Sequence, residues 1–177
     1  MSGEKKVASQ TVFQGKILQV RRDEVVLPDG RPSAREVVET TDAVAVVGIT
    51  GAGEVLMVKQ YRYAVARALL EIPAGKIEPG EKPLECARRE LEEETGYRAS
   101  AWREMYSFYT SPGFCTEKIY LFMAADLTLA GQKLDRDEFI DVVKVPLPEA
   151  LQMAARGELV DAKTIVGLLA AAGKAGF

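Results

Sequence analysis

The segment GKIEPGEKPLECARRELEEETGY constrains the fold more than any other part of the chain. Leu84, Ala87 and Leu91 recur at intervals of three and four residues, the spacing of one apolar face of a helix. Proline suits the first turn of a helix, and glycine suits the residue just beyond its end. We therefore predict a helix over Pro83–Thr95 that ends at Gly96.

The predicted helix carries a concentration of negative charge. Glu90 and Glu94 are four residues apart, so they lie one above the other, and Glu93 lies beside them. Like charges at this spacing destabilise a helix by about 0.2–0.5 kcal/mol per pair, and a bound divalent cation would reverse that sign. The alternative is a solvated face on which Arg88 and Arg89 pair with the glutamates four residues later.

A loop rich in glycine and proline, PAGKIEPGE, leads directly into this helix. Such a loop lets backbone carbonyl and amide groups approach a metal ion or a phosphate closely. Magnesium is a hard ion that prefers oxygen ligands. The loop therefore favours a metal site over a merely solvated helix face.

Composition excludes several other classes of protein. The chain has 177 residues, enough for one compact domain, and a net charge of −3, which provides no basic field for nucleic acid. No apolar run is long enough to span a membrane. The polar N-terminus, MSGEKKVASQ, lacks the apolar core of a signal peptide, and we predict that it is a short mobile tail.

The chain contains no histidine and only two cysteines, which lack CxxC spacing. A zinc site of the cysteine and histidine type is therefore excluded, and we expect a reducing, cytoplasmic location rather than a disulfide scaffold. Without histidine, acid–base chemistry falls to carboxylates, lysine, tyrosine, cysteine or a water activated by a metal. We assign no role to Cys86 or Cys115.

The remaining pattern alternates strands with few helices. Two strands are predicted around the turn at Pro28–Gly30, and the apolar run AVAVVGIT predicts a strand buried on both faces, with EVLMVKQYRY as its partner. Two further helices are predicted over 148–156 and 161–174. Because the order is not a strict βαβ alternation, we predict an α+β fold. We expect a small N-terminal antiparallel strand unit over residues 1–42, followed by the main domain over 43–177.

The acidic segment resembles the Nudix box. That pattern is glycine, five residues, glutamate, seven residues, arginine-glutamate, an aliphatic residue, any residue, glutamate-glutamate, any residue, glycine and a final aliphatic residue. Tyr97 departs from the last position, and the others are held by Gly75, Glu81, Arg89, Glu90, Leu91, Glu93, Glu94 and Gly96.

The resemblance implies a fold and a chemistry. Nudix hydrolases cleave a nucleoside diphosphate linked to another group, using magnesium or manganese, and place a mixed sheet between helices in an α/β/α sandwich. It further implies that Arg89 orients the glutamates and that Glu81 ties the loop to the helix. The implied metal ligands are Glu90, Glu93, Glu94 and the carbonyl of Ala74.

Other features are similar to the ADP-ribose pyrophosphatase branch of the family. These features are Pro112, fifteen residues after Tyr97, the segment LEIPAGKIEPGE and the N-terminal strand unit. The resemblance implies hydrolysis of ADP-ribose to AMP and ribose 5-phosphate by a homodimer. The alternatives are a pyrophosphatase for another nucleotide sugar, such as GDP-mannose, and a Nudix domain that only binds nucleotides as a sensor.

The same branch suggests three more site residues. Arg62 resembles an arginine that contacts a substrate phosphate, Arg35 resembles one that reaches the partner subunit's site, and Glu138 resembles a late-loop glutamate proposed as general base. Either arginine could instead be an edge-strand charge that discourages aggregation. Glu138 could equally belong to a plain solvated loop, since other acidic residues crowd that region.

Overall fold

A computed structural model describes residues 3–134 and 139–173. Contacts between Cα atoms divide the chain into two compact units. One comprises Met1–Asp42 with Tyr109–Lys118, and the other comprises Ala43–Phe108 with Ile119–Phe177. The segment 109–118, which the sequence placed in the main domain, thus groups with the N-terminal residues.

The order of strands and helices is that of an α+β protein, without strict βαβ alternation. The strands are β1 (Lys5–Gln14), β2 (Leu18–Val26), β3 (Pro32–Thr40), β4 (Ala43–Ile49), β5 (Glu54–Arg62), β6 (Arg67–Glu71), β7 (Ala74–Lys76), β8 (Tyr97–Tyr109), β9 (Lys118–Leu129) and β10 (Ile140–Pro146). The helices are α1 (Pro83–Thr95), α2 (Leu147–Ala155) and α3 (Ala162–Gly173), and a 3-10 turn covers Tyr63–Val65. In the described part of the chain, no helix is both long and apolar enough to cross a membrane.

The N-terminal unit contains a three-stranded antiparallel sheet in the order β1-β2-β3. A turn at Gly30, whose φ of +87° favours glycine, joins β2 to β3. The prediction of a mobile tail is wrong, because Lys5–Gln14 pairs along β2 as a strand. All ten residues of β1 are exposed, so backbone hydrogen bonds rather than burial define this strand, and hydropathy gave no signal for it.

The main unit is built on a mixed sheet in the order β10-β5-β4-β9-β8. β4 runs parallel to β9 and antiparallel to β5, while β6 pairs with β5 and β7 pairs with β4. Six of the seven residues of β4 are buried, as the continuous apolar run predicted. The short strand β7 lies at the start of the acidic segment, so its pairing with β4 attaches that segment to the sheet.

Helices cover both faces of this sheet. Val44 and Val46 of β4 belong to one apolar layer, together with Cys86, Ala87 and Leu91 of α1. The alternate residues of β4 belong to a second layer, which contains residues of α2 and α3. This second layer includes Ala45, Val47, Ala150, Leu168, Ala170 and Ala171. The predicted α+β sandwich, with a mixed sheet between helices, is confirmed.

Candidate active site

The ends of α1 follow from its sequence. Pro83 occupies the first turn, and the Glu85 carboxylate accepts the backbone N–H of Lys82 at 3.3 Å. Gly96 ends the helix with a φ of +74°, and a Cβ there would lie 2.8 Å from the backbone nitrogen of Gln132. Conformation and space therefore both require glycine, and the predicted bounds of the helix are confirmed.

Glu90, Glu93 and Glu94 of α1, here called the acidic arc, lie at the boundary between the core and solvent. Glu90 and Glu94 are 8% and 3% exposed, whereas the side chain of Glu93 is 37% exposed. Oε2 of Glu94 accepts the backbone N–H of Ala74 at 2.9 Å, which joins α1 to β7. A Cβ on Gly75 would lie 1.9 Å from Cδ of Glu90, so the Glu90 carboxylate rests against bare backbone.

Arg89 binds three carboxylates at once. Its Nε and Nη2 donate to the two oxygens of Glu81 at 2.9 and 3.0 Å. Its Nη1 donates to Oε1 of Glu90 at 2.7 Å and to Oε2 of Glu93 at 3.0 Å. Nη2 also donates to the carbonyl oxygen of Lys76 at 3.2 Å. These contacts connect the loop, β7 and two of the three glutamates, Glu90 and Glu93.

Glu81 closes the loop before α1. Its carboxylate accepts the backbone N–H of Glu78 at 3.0 Å and also the two hydrogen bonds from Nε and Nη2 of Arg89. Hydrogen bonding from Arg89 lowers the pKa of Glu81 from 4.5 to about 2, despite an opposing effect of burial. Because the folded pKa is depressed, the pair stabilises the fold fully above about pH 4.5, and this contribution is lost as the pH falls towards 2.

Glu81→Gln is accordingly expected to lower the free energy of unfolding at pH 7 by about 1.5–3 kcal/mol, the usual contribution of a hydrogen bond to a charged group. It should also flatten the loss of stability between about pH 4.5 and pH 3. Urea unfolding at a series of pH values measures both effects. Glu78→Gln, an exposed carboxylate in the same loop, is the matched control. The assignment is contradicted if wild type and Glu81→Gln lose stability in parallel over this range.

The cysteine on α1 is packed rather than reactive. Cys86 is buried, and burial raises the pKa of its thiol to about 12. Its Sγ lies 3.4 Å from the carbonyl oxygen of Lys76 and accepts a contact from Arg89. It therefore fills the space under β7 and is not poised as a nucleophile, and Cys115 is likewise free of a disulfide.

The donor set suits a hard cation. Glu90, Glu93 and Glu94 offer only carboxylate oxygens, and the bare backbone at Gly75 lets one carboxylate approach the chain closely. Within residues 3–134 and 139–173, no three acidic or cysteine side chains are gathered into a ready metal cluster. The reason is local, because Arg89 draws Glu90 and Glu93 to itself while Glu94 accepts the Ala74 amide.

A second charged group lies at the end of β5. Arg62 donates from Nε and Nη2 to the two oxygens of Glu71 at 2.8 and 2.7 Å. Burial raises the pKa of Glu71, but hydrogen bonds from Arg62 and Lys163 outweigh it, so the pKa of this carboxyl lies below its usual value. Hydrogen bonding to Glu71 in turn raises the pKa of Arg62. Arg62 is thus an ion-paired residue, and not the unpaired edge charge that the sequence left open.

Two further residues were predicted for the site, Arg35 and Glu138. Arg35 lies in the N-terminal unit, where it pairs with Glu4 and donates to the carbonyl of Ala34 at 2.7 Å. Glu138 lies outside the described residues, so its role stays a prediction. Sequence reasoning missed Glu71 and Lys163. The signal for Glu71 was a single charge inside the apolar segment LLEIPAG, whereas nothing local marked Lys163.

Glu92, on the same helix, faces a different set of partners. Arg98 donates to it from Nε and Nη2 at 2.6 and 2.8 Å, and Lys133 donates at 3.1 Å. These hydrogen bonds lower the pKa of Glu92 to about 2. The alternative of simple ion pairing thus holds for Glu92, although its partner is Arg98 rather than Arg88. Glu92 does not share the contacts of Arg89.

Comparison with known proteins agrees with this geometry. Residues 39–166 match the NUDIX domain, and residues 4–38 match the nucleoside diphosphate sugar hydrolase N-terminal domain. Proteins named ADP-ribose pyrophosphatase from Bacillus subtilis and Mycobacterium tuberculosis are 45% and 39% identical to this chain. Those matches cover 91% and 93% of this chain, and 88% and 81% of the relatives.

Two further comparisons concern a relative with another name and the fold. A Bacillus methanolicus protein named methanol dehydrogenase activator is 43% identical, over 93% of this chain and 90% of its own length. The crystal structure of an ADP compounds hydrolase superposes with a TM-score of 0.89 at 22% identity, covering 98% of this chain and 94% of the other. Since the NUDIX match extends over most of the chain and includes the entire acidic site, this chain belongs to the NUDIX domain family.

Proposed function

We propose that this Nudix hydrolase cleaves the pyrophosphate of ADP-ribose to give AMP and ribose 5-phosphate. Water adds across the bridge, so one P–O bond forms, the bridging P–O bond breaks and a proton is released. The observation that carries the proposal is that Arg89 holds Glu90 and Glu93 together, while Glu94 of the same helix accepts the backbone N–H of Ala74. The choice of substrate rests on the relatives named ADP-ribose pyrophosphatase, which match this chain over most of its length.

Members of this family generally depend on a divalent metal, and we propose Mg²⁺, with Mn²⁺ as a substitute. The carboxylates of Glu90, Glu93 and Glu94 and the carbonyl of Ala74 would hold it. Such an ion neutralises charge on the pyrophosphate and lowers the pKa of a water molecule, which a chain without histidine needs. Arg89 keeps Glu90 and Glu93 side by side, and Glu81 fixes Arg89 to the loop.

The remaining roles are assigned by residue. Glu93 is the catalytic carboxylate, because it is the most exposed of the three and so the most open to substrate. Glu138 stays the predicted general base. Arg62 would bind a substrate phosphate, and Arg35 would act in the site of a partner subunit. The cytoplasmic location expected from the sequence also stays a prediction.

Substrate choice is tested by comparing ADP-ribose with GDP-mannose under identical conditions. The ratio of kcat/KM for the two substrates in Mg²⁺ is the measurement. We expect ADP-ribose to be favoured by at least about tenfold, since a site that hydrogen-bonds one base rejects another strongly. A preference for GDP-mannose would assign the chain to the other substrate class. Binding of ADP-ribose with no product in Mg²⁺ would instead indicate a sensor.

We also propose that the chain forms a homodimer through its N-terminal unit. The unit exposes apolar side chains that a monomer would leave in water. Val7, Val12, Phe13 and Ile17 are 63, 55, 56 and 65% exposed. Light scattering should give twice the mass of one chain at micromolar concentration. A monomeric mass would refute the dimer and, with it, the role given to Arg35.

A further inference from the structure

A buried ion-pair network supports the segment that leads into the active site. Glu71, at the end of β6, is 1% exposed, so its charge is stable only because it is fully paired. Arg62 pairs with both carboxylate oxygens, and Lys163 donates to Oε2. The side chain of Lys163 is itself only 12% exposed. A carboxylate with two cationic partners is therefore enclosed beneath the edge of the sheet.

The network continues into the start of α3. Lys163 lies 3.0 Å from Oδ2 of Asp161, which also accepts the backbone N–H and the hydroxyl of Thr164 at 3.0 and 2.6 Å. The hydroxyl oxygen of Thr164 accepts the backbone N–H of Ile72 at 2.9 Å. The chain of contacts thus returns to the residue after Glu71. α3 and the end of β6 are held together by charge and hydrogen bonds as well as by packing.

Stability alone does not account for this arrangement. Buried ion pairs are often replaced by apolar side chains of similar volume with no loss of stability, because removing charges from water is costly. The network orients Arg62, whose side chain is 41% exposed. Its hydrogen bonds to Glu71 use Nε and Nη2, so the Nη1 amino group is directed away from the carboxylate.

The orientation of Arg62 is relevant to the acidic arc. The hydrogen bond to Glu71 raises the pKa of Arg62 most, and the charge of Glu94 adds a smaller effect in the same direction. Along the chain, Glu71 is separated by only two residues from Ala74, whose N–H donates to Glu94. The ion pair of Arg62 and the hydrogen bond that holds Glu94 are therefore attached to the same short segment, so a phosphate that reached Glu94 through a cation would approach the segment that orients Arg62. A pre-oriented arginine loses less conformational entropy on binding than a free one.

We propose that Glu71 and Lys163 are positioning residues that fix Arg62 so that its Nη1 edge meets a phosphate of the substrate. The proposal rests on the proposed function, because it assigns a phosphate to Arg62. Glu71 and Lys163 do not themselves touch the substrate. Their effect on substrate binding must therefore pass through Arg62 and disappear when that guanidinium is absent.

A double-mutant cycle tests this dependence. The proteins are wild type, Arg62→Ala, Glu71→Gln and the double variant, and calorimetry in Mg²⁺ measures their affinity for an ADP-ribose analogue whose bridging oxygen is replaced by a methylene group, so that it is not cleaved at the bridge. We expect each single variant to bind about tenfold more weakly and the double variant to bind no more weakly than Arg62→Ala. Arg67→Ala, which removes the exposed arginine opposite Arg62 in β6, should leave the affinity unchanged.

The free energy of unfolding is measured for the same four proteins. A purely structural role of Glu71 would lower this free energy without making the loss of affinity depend on Arg62. Urea unfolding identifies any variant that fails to fold, and Lys163→Met then replaces Glu71→Gln in the cycle, since it removes one of the two cations that hold the Glu71 carboxylate in place. Additive losses of affinity, or no loss in Glu71→Gln, would refute the positioning role.

The outcome also separates this inference from the proposed function. If the wild type binds ADP-ribose but does not cleave it in Mg²⁺, the proposed reaction fails and the binding cycle still decides the positioning role. If cleavage is normal and the losses are additive, only the positioning role fails. If the wild type neither binds nor cleaves ADP-ribose, both fail.

Discussion

Glu93→Gln is expected to lower the turnover of ADP-ribose by at least about a hundredfold while leaving the fold intact. Glu93 is the most exposed carboxylate of the acidic arc and has one hydrogen bond to Arg89, so its amide analogue costs little packing. The amide cannot supply the negative charge that a divalent cation requires. The loss should therefore appear in kcat, with an unfolding transition close to that of wild type.

The matched control for this variant is Glu92→Gln, one residue earlier on the same helix. Glu92 pairs with Arg98 and Lys133 and makes none of the contacts of Arg89. Its substitution should leave kcat within about twofold of wild type, as expected for a charge whose partners are separate from Arg89. Comparable activity in Glu93→Gln and Glu92→Gln would remove Glu93 from the metal site.

Glu94→Gln should also lose turnover, but for two reasons. Glu94 is 3% exposed and holds the backbone of Ala74 in addition to its proposed role as a ligand. An amide could still accept that N–H through its oxygen, so the loss of charge, rather than the loss of structure, should dominate. Turnover and unfolding measured together distinguish these contributions.

Gly75→Ala is expected to displace the Glu90 carboxylate, because the new Cβ would occupy the space where that carboxylate lies. The new Cβ would lie 1.9 Å from Cδ and Oε1 of Glu90 and 2.4 Å from Oε2. The carboxylate must move, and Glu90 is also held by Arg89 at 2.7 Å. We expect the free energy of unfolding to fall by about 1–3 kcal/mol and turnover to fall by about a hundredfold, since small displacements of catalytic groups are costly.

The matched control is Gly51→Ala, in an exposed turn where a Cβ would meet no atom within 4 Å. This variant should unfold like wild type and retain its turnover. Urea unfolding and steady-state kinetics on both alanine variants provide the comparison. Full activity in Gly75→Ala would show that Glu90 can leave its place without harm, which would contradict its assignment as a ligand.

Local signals in the sequence were sufficient for the features that determine the site. The bounds of α1 follow from Pro83, the apolar stripe and Gly96, all of which lie within fourteen residues. The valine-rich strand β4 likewise carries its own signal, because Ala43–Ile49 is a continuous apolar run, which predicts burial on both faces. Such features depend on neighbours in the chain rather than on partners brought together by folding.

The features that the sequence did not indicate depend either on residues far away in the chain or on backbone pairing without side-chain burial. β1 forms with every side chain exposed, so hydrophobic patterning could not predict it. Lys163 meets Glu71 across 92 positions in the chain, and no local pattern encodes such a contact. Arg62 was identified by resemblance, yet its bidentate pair with Glu71 became visible only in the structure.

The central claim is that the acidic arc of α1 holds a divalent cation against a pyrophosphate. The most direct test incubates the purified protein with ADP-ribose in Mg²⁺ and, in parallel, with a chelator, and resolves the products by ion-exchange chromatography. We expect AMP and ribose 5-phosphate in equal amounts with Mg²⁺, and neither product with the chelator. Equal rates of AMP release in the two samples would contradict it.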